Sequence, residues 1–358
     1  MKTEHLRRRV RNAREQLRDR HVAALILTKP ANVTYLTGFS GEDSWAIVTR
    51  KAVYLLTDSR YTEQAGKECV GATIVERKEL IAPAAGKLVR KLRLKTTVAV
   101  ENSISVAMYR VLKKGIDVPL KPAGEIIETL RAVKDGEETA AIRTAAAIAA
   151  TAFKKAVRHA RPGVTESELA GIVDLEMRRQ GAKVGFETIV AFGPNASRPH
   201  HQPGPRKLRE TDTVLIDFGA RYKGYCCDIT RSFFIGKPTA AWRKAYHVVE
   251  KAQAAAIDAA RAGIELAKLD AIPRAVIRES GLPVYGHGTG HGFGLEIHEI
   301  PFLRGKAKGS LKAGQIITIE PGVYLPGKLG VRIEDDILIG DSGCEILTTQ
   351  CPRISSPV

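Results

Sequence analysis

One order of predicted elements occurs twice along the C-terminal part of this chain of 358 residues. A long helix, a second helix and a group of strands are predicted near residues 137–159, 166–180 and 213–235, and again near 242–262, 266–280 and up to 339. Thr165 followed by Glu168 predicts a capping box at the start of the second helix. The repeat is much longer than the units of roughly 20–50 residues that build solenoids. We therefore expect one duplicated α+β domain, with a single site shared by its two halves.

The residues before this duplication alternate between short apolar strands and amphipathic helices. Strands are predicted near 22–28, 45–49, 53–57 and 98–100, and helices near 6–17, 60–68, 79–93 and 104–114. Such alternation is typical of a small α/β domain. The segment Lys121-Pro122-Ala123-Gly124 marks its end, because Pro and Gly interrupt regular structure. We predict an N-terminal domain over residues 1–122 and a C-terminal domain over residues 131–350.

Each half of the C-terminal domain carries two carboxylates in a predicted hairpin. A turn between residues 222 and 223 places Asp217 opposite Asp228, and pairing about residue 327 places Glu320 opposite Glu334. Like charges roughly 4.5–5.5 Å apart destabilise a sheet. A bulge would shift either register, but two such pairs indicate cation binding. Period-two alternation puts Arg332 on the face of Glu334, where it either holds a bridging carboxylate in orientation or forms a surface ion pair.

Three histidines lie between these hairpins in a glycine-rich segment. They are His287, His291 and His298. Glycine lets a substrate approach the backbone, and imidazole is a common metal ligand. One imidazole with four carboxylates makes an oxygen-rich site that favours Mn²⁺, with Co²⁺, Fe²⁺ and Zn²⁺ as alternatives. Five ligands that include two bridging carboxylates suit two ions roughly 3.5–4 Å apart.

These residues carry a resemblance to a known family. The set Asp217, Asp228, His291, Glu320 and Glu334 resembles the ligands of the pita-bread metallopeptidases, the family of methionine aminopeptidase, aminopeptidase P and prolidase. Segments 32–39, 57–61 and 131–138 are similar to the proline-specific members, so the resemblance covers essentially the whole chain. It implies an α/β N-terminal domain, an α+β pita-bread catalytic domain of duplicated helix-helix-sheet units, and a homodimer. The implied activity is hydrolysis of peptides with proline in second position, of the aminopeptidase P or prolidase type.

The resemblance also implies how the metal ligands divide their roles. Asp217 would bind one metal ion, and His291 and Glu320 the other, while Asp228 and Glu334 would bridge both. Glu320 would also take a proton from the attacking water and deliver it to the departing proline nitrogen.

Further residues would contact the substrate. By the same resemblance, His298 and His200 would interact with the substrate carbonyl, and His287 would line the proline pocket. His201 is the alternative to His200, although the Pro-His match favours His200. Phe293 and Tyr225 are expected either to form the apolar wall of that pocket or to pack in the core.

One position departs from the prolidase pattern. Prolidases commonly carry an arginine directly after the proline of the segment His298-Glu-Ile-Pro, suited to hold the free carboxylate of a dipeptide. Phe302 stands at that position here, and the nearest arginine is Arg304. Either Arg304 binds the carboxylate in its place, or this clamp is missing.

The cysteines and the N-terminus bear on the compartment. Five cysteines at irregular spacing do not form a disulfide pattern, so a reducing cytoplasm is expected. Adjacent Cys226 and Cys227 would point to opposite faces of a strand, which favours packing over shared metal binding. The arginine-rich N-terminus lacks the apolar core of a signal peptide, and the apolar run 22–27 is too short to span a membrane.

The net charge of +17 raises the question of a polyanionic partner. Because the charge is spread along the whole sequence, solvated surface is the main interpretation and nucleic acid a minor one. The alternative function is a non-catalytic pita-bread module that binds protein or nucleic acid. A reaction like that of creatine amidinohydrolase is a third hypothesis. The intact set of five ligands argues against both.

Overall fold

The computed structural model describes residues 2–354 and divides into two compact units between Arg131 and Ala132. Met1 and residues 355–358 lie outside the described part. Within residues 2–354, no helix is both long enough and apolar enough to cross a membrane.

The first unit is an α/β domain built on one mixed sheet, with the strand order β4-β3-β2-β1-β5-β6. Its strands are β1 (Ala24–Leu27), β2 (Trp45–Thr49), β3 (Val53–Thr57), β4 (Ala72–Glu76), β5 (Val98–Val100) and β6 (Leu120–Pro122). Its helices are α1 (Lys2–Asp19), α2 (Pro30–Thr37), α3 (Thr62–Glu68), α4 (Ile81–Lys91), α5 (Val106–Lys114) and α6 (Ile126–Ala132), the last of which crosses the division. The sequence predicted β2, β3 and β5 but not α2, which begins at a proline and ends at left-handed Gly38.

The second unit contains two pairs of packed helices, as the duplication predicted. They are α7 (Gly136–His159), α8 (Glu166–Arg179), α9 (Ala240–Ala259) and α10 (Leu266–Glu279), with a 3₁₀ helix at Gly193–Ser197. The capping box of Thr165 and Glu168 is present: the Thr165 hydroxyl accepts from the Glu168 amide, and the Glu168 carboxylate accepts from the Thr165 amide.

The strands of this unit form four small sheets, with the orders β11-β10-β7, β12-β9-β8, β14-β13-β15-β18-β19 and β16-β17. Their bounds are β7 (Lys183–Val184), β8 (Ile189–Phe192), β9 (Thr213–Phe218), β10 (Ala220–Tyr222), β11 (Tyr225–Cys226), β12 (Ile229–Phe234), β13 (Gly290–Gly292), β14 (Glu299–Leu303), β15 (Ile316–Ile319), β16 (Gly322–Leu325), β17 (Leu329–Arg332), β18 (Asp335–Ile339) and β19 (Cys344–Ile346).

The register of the first hairpin differs from the prediction. Asp217 pairs with Thr230, not with Asp228. The turn consists of Lys223 and Gly224, both with positive φ of 49° and 88°, which is the turn that matches the twist of a two-residue hairpin. The predicted direct opposition was therefore wrong. Because the shift amounts to two residues, Asp217 and Asp228 still belong to the same face.

The register of the second hairpin is confirmed. Gly322 pairs with Arg332 on one side of the carboxylates, and Ile319 pairs with Asp335 on the other. The two flanking registers together place Glu320 opposite Glu334.

Strand alternation turns the carboxylates of both halves away from the helices. Ile216 and Phe218 of β9 belong to the apolar core that α7 and α8 cover, so Asp217 faces the other side. Ile319 of β15 belongs to the core beneath α9 and α10, and Glu320 follows it at the end of the strand. The site therefore lies between the two halves, on the sheet faces that the helices leave uncovered.

Candidate active site

A cavity of about 330 Å³ opens between the two halves of the second unit. The five predicted metal ligands and the histidines and arginines favoured as further site residues all line this cavity: His200, Asp217, Asp228, His287, His291, His298, Arg304, Glu320, Arg332 and Glu334. The structure thus brings these residues together at one cavity, and the role of each remains a prediction. A second cavity, about 310 Å³ in volume and bordered by Arg206 and Trp242, contains none of these residues.

Asp217 is held by one of its two carboxylate oxygens. Arg332 Nη2 donates a hydrogen bond of 2.7 Å to Asp217 Oδ2. Asp217 Oδ1 is buried and has no hydrogen-bond partner among residues 2–354. A buried carboxylate oxygen without a partner is costly, so this atom is a candidate to bind a cation.

Asp228, His291 and Glu334 form the tightest group of candidate ligands. One ligand atom from each lies within 4.8 Å of the other two. His291 Nε2 lies 3.6 Å from Asp228 Oδ2 and 3.5 Å from Glu320 Oε1. His291 Nδ1 is 3.1 Å from the Gly292 carbonyl and donates to it. This hydrogen bond leaves the Nε2 lone pair directed at the carboxylates, which is the orientation a metal ligand requires.

The protonation tendencies of these groups indicate that a cation belongs among them. Burial, followed by Glu334, raises the pKa of Asp228 well above its usual value. Burial, followed by Glu320, does the same to the pKa of Glu334, and burial raises the pKa of Glu320 to about 8. Burial, followed by His298, lowers the pKa of His291 to about 4, so its imidazole is neutral near pH 7. Crowded carboxylates beside a neutral imidazole fit divalent metal ions well.

Tyr324 connects two of the predicted residues and was missed in the sequence. Arg332 Nη1 donates to the Tyr324 hydroxyl at 2.9 Å, and that hydroxyl donates to His287 Nε2 at 3.0 Å. His287 Nδ1 in turn donates to the Gly288 carbonyl at 2.8 Å. The confirmed register of the second hairpin was a usable signal, because it places Tyr324 two residues from the partner of Arg332 on the same face.

Thr230 is a second residue that the sequence analysis missed. Its hydroxyl donates to Glu334 Oε2 at 2.7 Å and accepts from Arg332 Nε at 2.9 Å. Thr230 follows Asp228 by two residues, so strand alternation puts both on one face. The incorrect register hid its position opposite Asp217.

Of the other histidines considered for the site, His298 and His200 line the cavity and His201 does not. The His298 ring packs edge-on against His291, with ring centroids 4.5 Å apart. His200 lines the cavity, whereas adjacent His201 is buried and lies 2.8 Å from Glu166. This geometry favours His200 over His201 for contact with a substrate.

Phe302 and Arg304 lie on the cavity side of β14. Phe302 pairs with His291 on the neighbouring strand, and the Arg304 guanidinium lies 5.8 Å from the centroid of the Phe302 ring. Within the described residues, the Arg304 side chain forms no hydrogen bond or ion pair, so it is available to an anionic group.

Of the two alternatives expected for Phe293 and Tyr225, the pocket wall or the core, the structure agrees with the core. Phe293 and Tyr225 are buried and do not line the cavity. The cavity lining instead includes the large apolar residues Phe186, Ile189, Ile297, Phe302 and Leu303.

Comparisons with known proteins agree with this geometry. Metallopeptidase family M24 matches residues 140–341, and the creatinase/prolidase N-terminal domain matches residues 9–133. The uncharacterized peptidase YqhT of Bacillus subtilis is 36% identical over 330 residues, which cover 91% of this chain and 94% of that protein.

Two solved structures share the whole fold. An Xaa-Pro dipeptidase from Bacillus anthracis matches with a TM-score of 0.94 at 35% identity, covering 98% of this chain and 99% of that one. An X-Pro aminopeptidase from Thermotoga maritima matches with a TM-score of 0.88 at 35% identity, covering 96% of this chain and 99% of that one. These matches confirm the predicted two-domain fold and the resemblance to the proline-specific branch. The chain belongs to metallopeptidase family M24, and a creatinase/prolidase N-terminal domain precedes its catalytic domain.

Proposed function

We propose that this protein removes the N-terminal residue from peptides that carry proline in second position, with the help of two divalent metal ions. The observation that carries the proposal is the grouping of ligand atoms from Asp228, His291 and Glu334 within 4.8 Å. Glu320 lies beside this group, and Asp217, which has one partnerless carboxylate oxygen, lines the same cavity. The names of the two solved relatives, an Xaa-Pro dipeptidase and an X-Pro aminopeptidase, support the choice of substrate.

Five residues would hold the metal ions: Asp217, Asp228, His291, Glu320 and Glu334. We propose Mn²⁺ as the native metal, because four carboxylates and one imidazole form a predominantly oxygen site. Two bound ions would lower the pKa of a water molecule and polarise the carbonyl of the bond to be cleaved. Arg332 and Thr230 keep Asp217 and Glu334 in place through the hydrogen bonds described above.

Glu320 is the proposed general base and acid. The proline nitrogen would be a very poor leaving group as an anion, so it must receive a proton in order to leave. Glu320 takes a proton from the attacking water and delivers it to that nitrogen.

Three histidines serve the substrate in this proposal. His298 and His200, both on the cavity wall, donate hydrogen bonds to the substrate carbonyl oxygen as negative charge develops on it. His287 borders the space for the proline ring, and Tyr324 fixes its ring orientation by donating to Nε2.

Phe302 and Arg304 bear on substrate length. A dipeptide carries its carboxylate next to the proline ring, whereas a longer peptide carries it farther from the bond that is cleaved. Phe302, directly across from His291, offers no charge to a carboxylate at the nearer position. Arg304 lies two residues farther along the chain, just past the end of β14 at Leu303. We therefore propose that peptides of three or more residues are accepted, with Arg304 binding their carboxylate.

The proposal is tested with protein that has been stripped of metal and refilled with Mn²⁺. Gly-Pro, Ala-Pro, Ala-Pro-Ala and the control peptide Ala-Ala-Ala are offered, and release of the first residue is measured. Cleavage of Ala-Pro-Ala but not of Ala-Ala-Ala is expected. Cleavage of the dipeptides alone would indicate a prolidase-type preference. Absence of hydrolysis with every divalent metal would contradict the proposal.

The same preparation tests two further expectations. The protein is expected to be a homodimer, which light scattering of the purified protein measures as twice the chain mass of 38.9 kDa. The Glu320→Gln variant keeps the shape of the side chain but removes its ability to exchange a proton, so it should be inactive while remaining folded.

A further inference from the structure

Glu166, the first residue of α8, is fully buried and binds three separate segments of the chain. Its Oε1 accepts hydrogen bonds of 2.8 Å from Phe192 N and from Asn195 Nδ2. Its Oε2 lies 2.8 Å from His201 Nε2 and accepts from Gly204 N at 3.1 Å. One carboxylate therefore ties together the end of β8, the 3₁₀ helix and the loop that follows.

That loop, residues 199–204, carries His200 at the cavity. At its start, the Pro199 carbonyl accepts a long hydrogen bond of 3.4 Å from Arg332 Nη1. At its end, the Pro203 carbonyl accepts from the Ser167 hydroxyl at 3.0 Å. His201 adds an attachment in the middle of the loop, directly next to His200. The position of His200 therefore depends on a side chain that points the other way, into the protein.

The contact between Glu166 and His201 is stronger than an ordinary loop contact. Both side chains are buried, with 0% and 8% of their side-chain surface exposed. A hydrogen bond to a carboxylate is stronger than a neutral one, and its loss leaves a buried oxygen with less compensation. Conformations of the 199–204 loop that break the contact between Glu166 and His201 are therefore unfavourable.

We propose that Glu166 and His201 form a positioning pair that fixes His200 relative to the metal-binding carboxylates. The inference rests on the proposed function, in which His200 donates to the substrate carbonyl. Neither member of the pair lines the cavity, so both act through the loop. A displacement of a catalytic group by about 1 Å is enough to slow a reaction roughly 100-fold.

Four variants of the Mn²⁺-loaded full-length enzyme test the pair, with Ala-Pro-Ala as substrate. His201→Leu removes the donor, and Glu166→Gln weakens the acceptor. His201→Gln supplies an amide donor near the place of Nε2 and should restore most of the activity. Asp174→Asn is the matched control, because it weakens an acceptor on the same helix that binds Thr188, away from the His200 loop. Melting temperatures are recorded so that rates refer to folded enzyme.

We expect His201→Leu and Glu166→Gln to lower kcat by about 10- to 100-fold with KM changed by less than about threefold. The Asp174→Asn control should keep wild-type kcat even where its melting temperature falls. The double variant His200→Ala/His201→Leu should be no slower than His200→Ala alone, because the pair acts through His200.

Three outcomes overturn the inference. The first is an active wild-type enzyme whose His201→Leu variant has unchanged kcat per folded molecule, since His201 is then merely structural. The second is a double variant His200→Ala/His201→Leu whose fold-loss in kcat equals the product of the two single losses, since the two residues then act independently. The third is a failure of His201→Gln to recover activity above His201→Leu. A wild-type enzyme that cleaves no Xaa-Pro peptide is a different result, because it removes the proposed function and the role of the pair with it.

Discussion

Arg332 Nη2 and Asp217 Oδ2 form a hydrogen bond of 2.7 Å between the two halves of the duplicated domain. Arg332 is 3% exposed, and its guanidinium also binds the hydroxyls of Thr230 and Tyr324. It satisfies one oxygen of Asp217 and leaves the other without a partner among residues 2–354. The buried guanidinium of Arg332 thereby fixes Asp217, a candidate metal ligand, and joins the two halves around the site.

Loss of this contact should destabilise the metal-free protein. Arg332→Met keeps much of the volume but leaves the Asp217 carboxylate buried without its partner, which typically costs about 3–5 kcal/mol. The free energy of unfolding is measured by denaturant titration in the presence of a chelator. Arg332→Lys is the control, since it keeps the charge and should lose less. A change below about 1 kcal/mol in Arg332→Met would count against the role assigned to this contact.

The stability of the metal-free protein should fall as the pH rises from 6.5 to 8. Burial raises the pKa of Glu320 from 4.5 to about 8 and that of Asp228 and Glu334 in the same direction. The folded protein therefore holds these protons more tightly than the unfolded chain, and their stabilisation disappears as pH rises through the folded values. Burial lowers the pKa of His287 and His291 from 6.5 to about 4, so most of their opposite contribution is made below pH 6.5 and the small remainder ends about one pH unit higher.

Melting temperatures at pH 6.5, 7.2 and 8.0, taken with a chelator, measure this effect. Mn²⁺ should abolish the decline, because the cation stabilises the ionised carboxylates. The Glu320→Gln variant should show a shallower decline without metal. A melting temperature that is constant or rising over this range would contradict the assignment of carboxyl groups with raised pKa to the site.

Gly290→Ala should disturb the strand that carries His291. A Cβ atom at Gly290 would lie 1.9 Å from the Thr318 carbonyl oxygen, so β13 and β15 would have to separate. Overpacking of this kind typically costs about 1–3 kcal/mol, and it would also shift His291. Gly286→Ala is the matched control in the same segment, since nothing lies within 4 Å of its added Cβ. Equal unfolding free energies and Mn²⁺ affinities for the two variants would show that the close approach is unimportant.

Arg304 should give the enzyme a preference for a free C-terminal carboxylate. Wild-type enzyme is expected to cleave Ala-Pro-Ala with a kcat/KM about tenfold above that for its C-terminal amide, the lower end of what a charge-assisted hydrogen bond contributes. Arg304→Gln should abolish the preference, and Arg304→Lys should keep part of it. If the wild-type enzyme treats acid and amide alike, Arg304 does not bind the carboxylate.

The sequence predicted the fold of the second unit well because helix periodicity, capping and duplication are local patterns. The bounds of α7 and α8 agree with the prediction to within one or two residues. The first hairpin failed because a shift of one residue in the turn, from residues 222–223 to Lys223 and Gly224, moves the pairing by two. The face of each carboxylate survived this error because strands alternate with period two.

The supporting residues of the site were harder to predict than the candidate ligands. Thr230 and Tyr324 are single polar residues whose partners are distant in sequence, so only the correct strand register brings them to the site. Glu166 is the first residue of a helix, a position where acidic residues are common, so the sequence gives no reason to single it out. Its burial and its four hydrogen-bond donors depend on segments that are distant in sequence. In the first unit, α2 contains β-branched residues and forms because Val33, Tyr35 and Leu36 are buried.

The central claim is that Asp217, Asp228, His291, Glu320 and Glu334 hold two divalent metal ions that hydrolyse the bond before proline. Its most direct test is a titration of metal-free protein with Mn²⁺, in which bound metal and hydrolysis of Ala-Pro-Ala are followed together. We predict that two Mn²⁺ ions bind per chain and that hydrolysis reaches its maximum when both are bound. Hydrolysis that proceeds without metal, or Mn²⁺ binding that produces no hydrolysis, would contradict the claim.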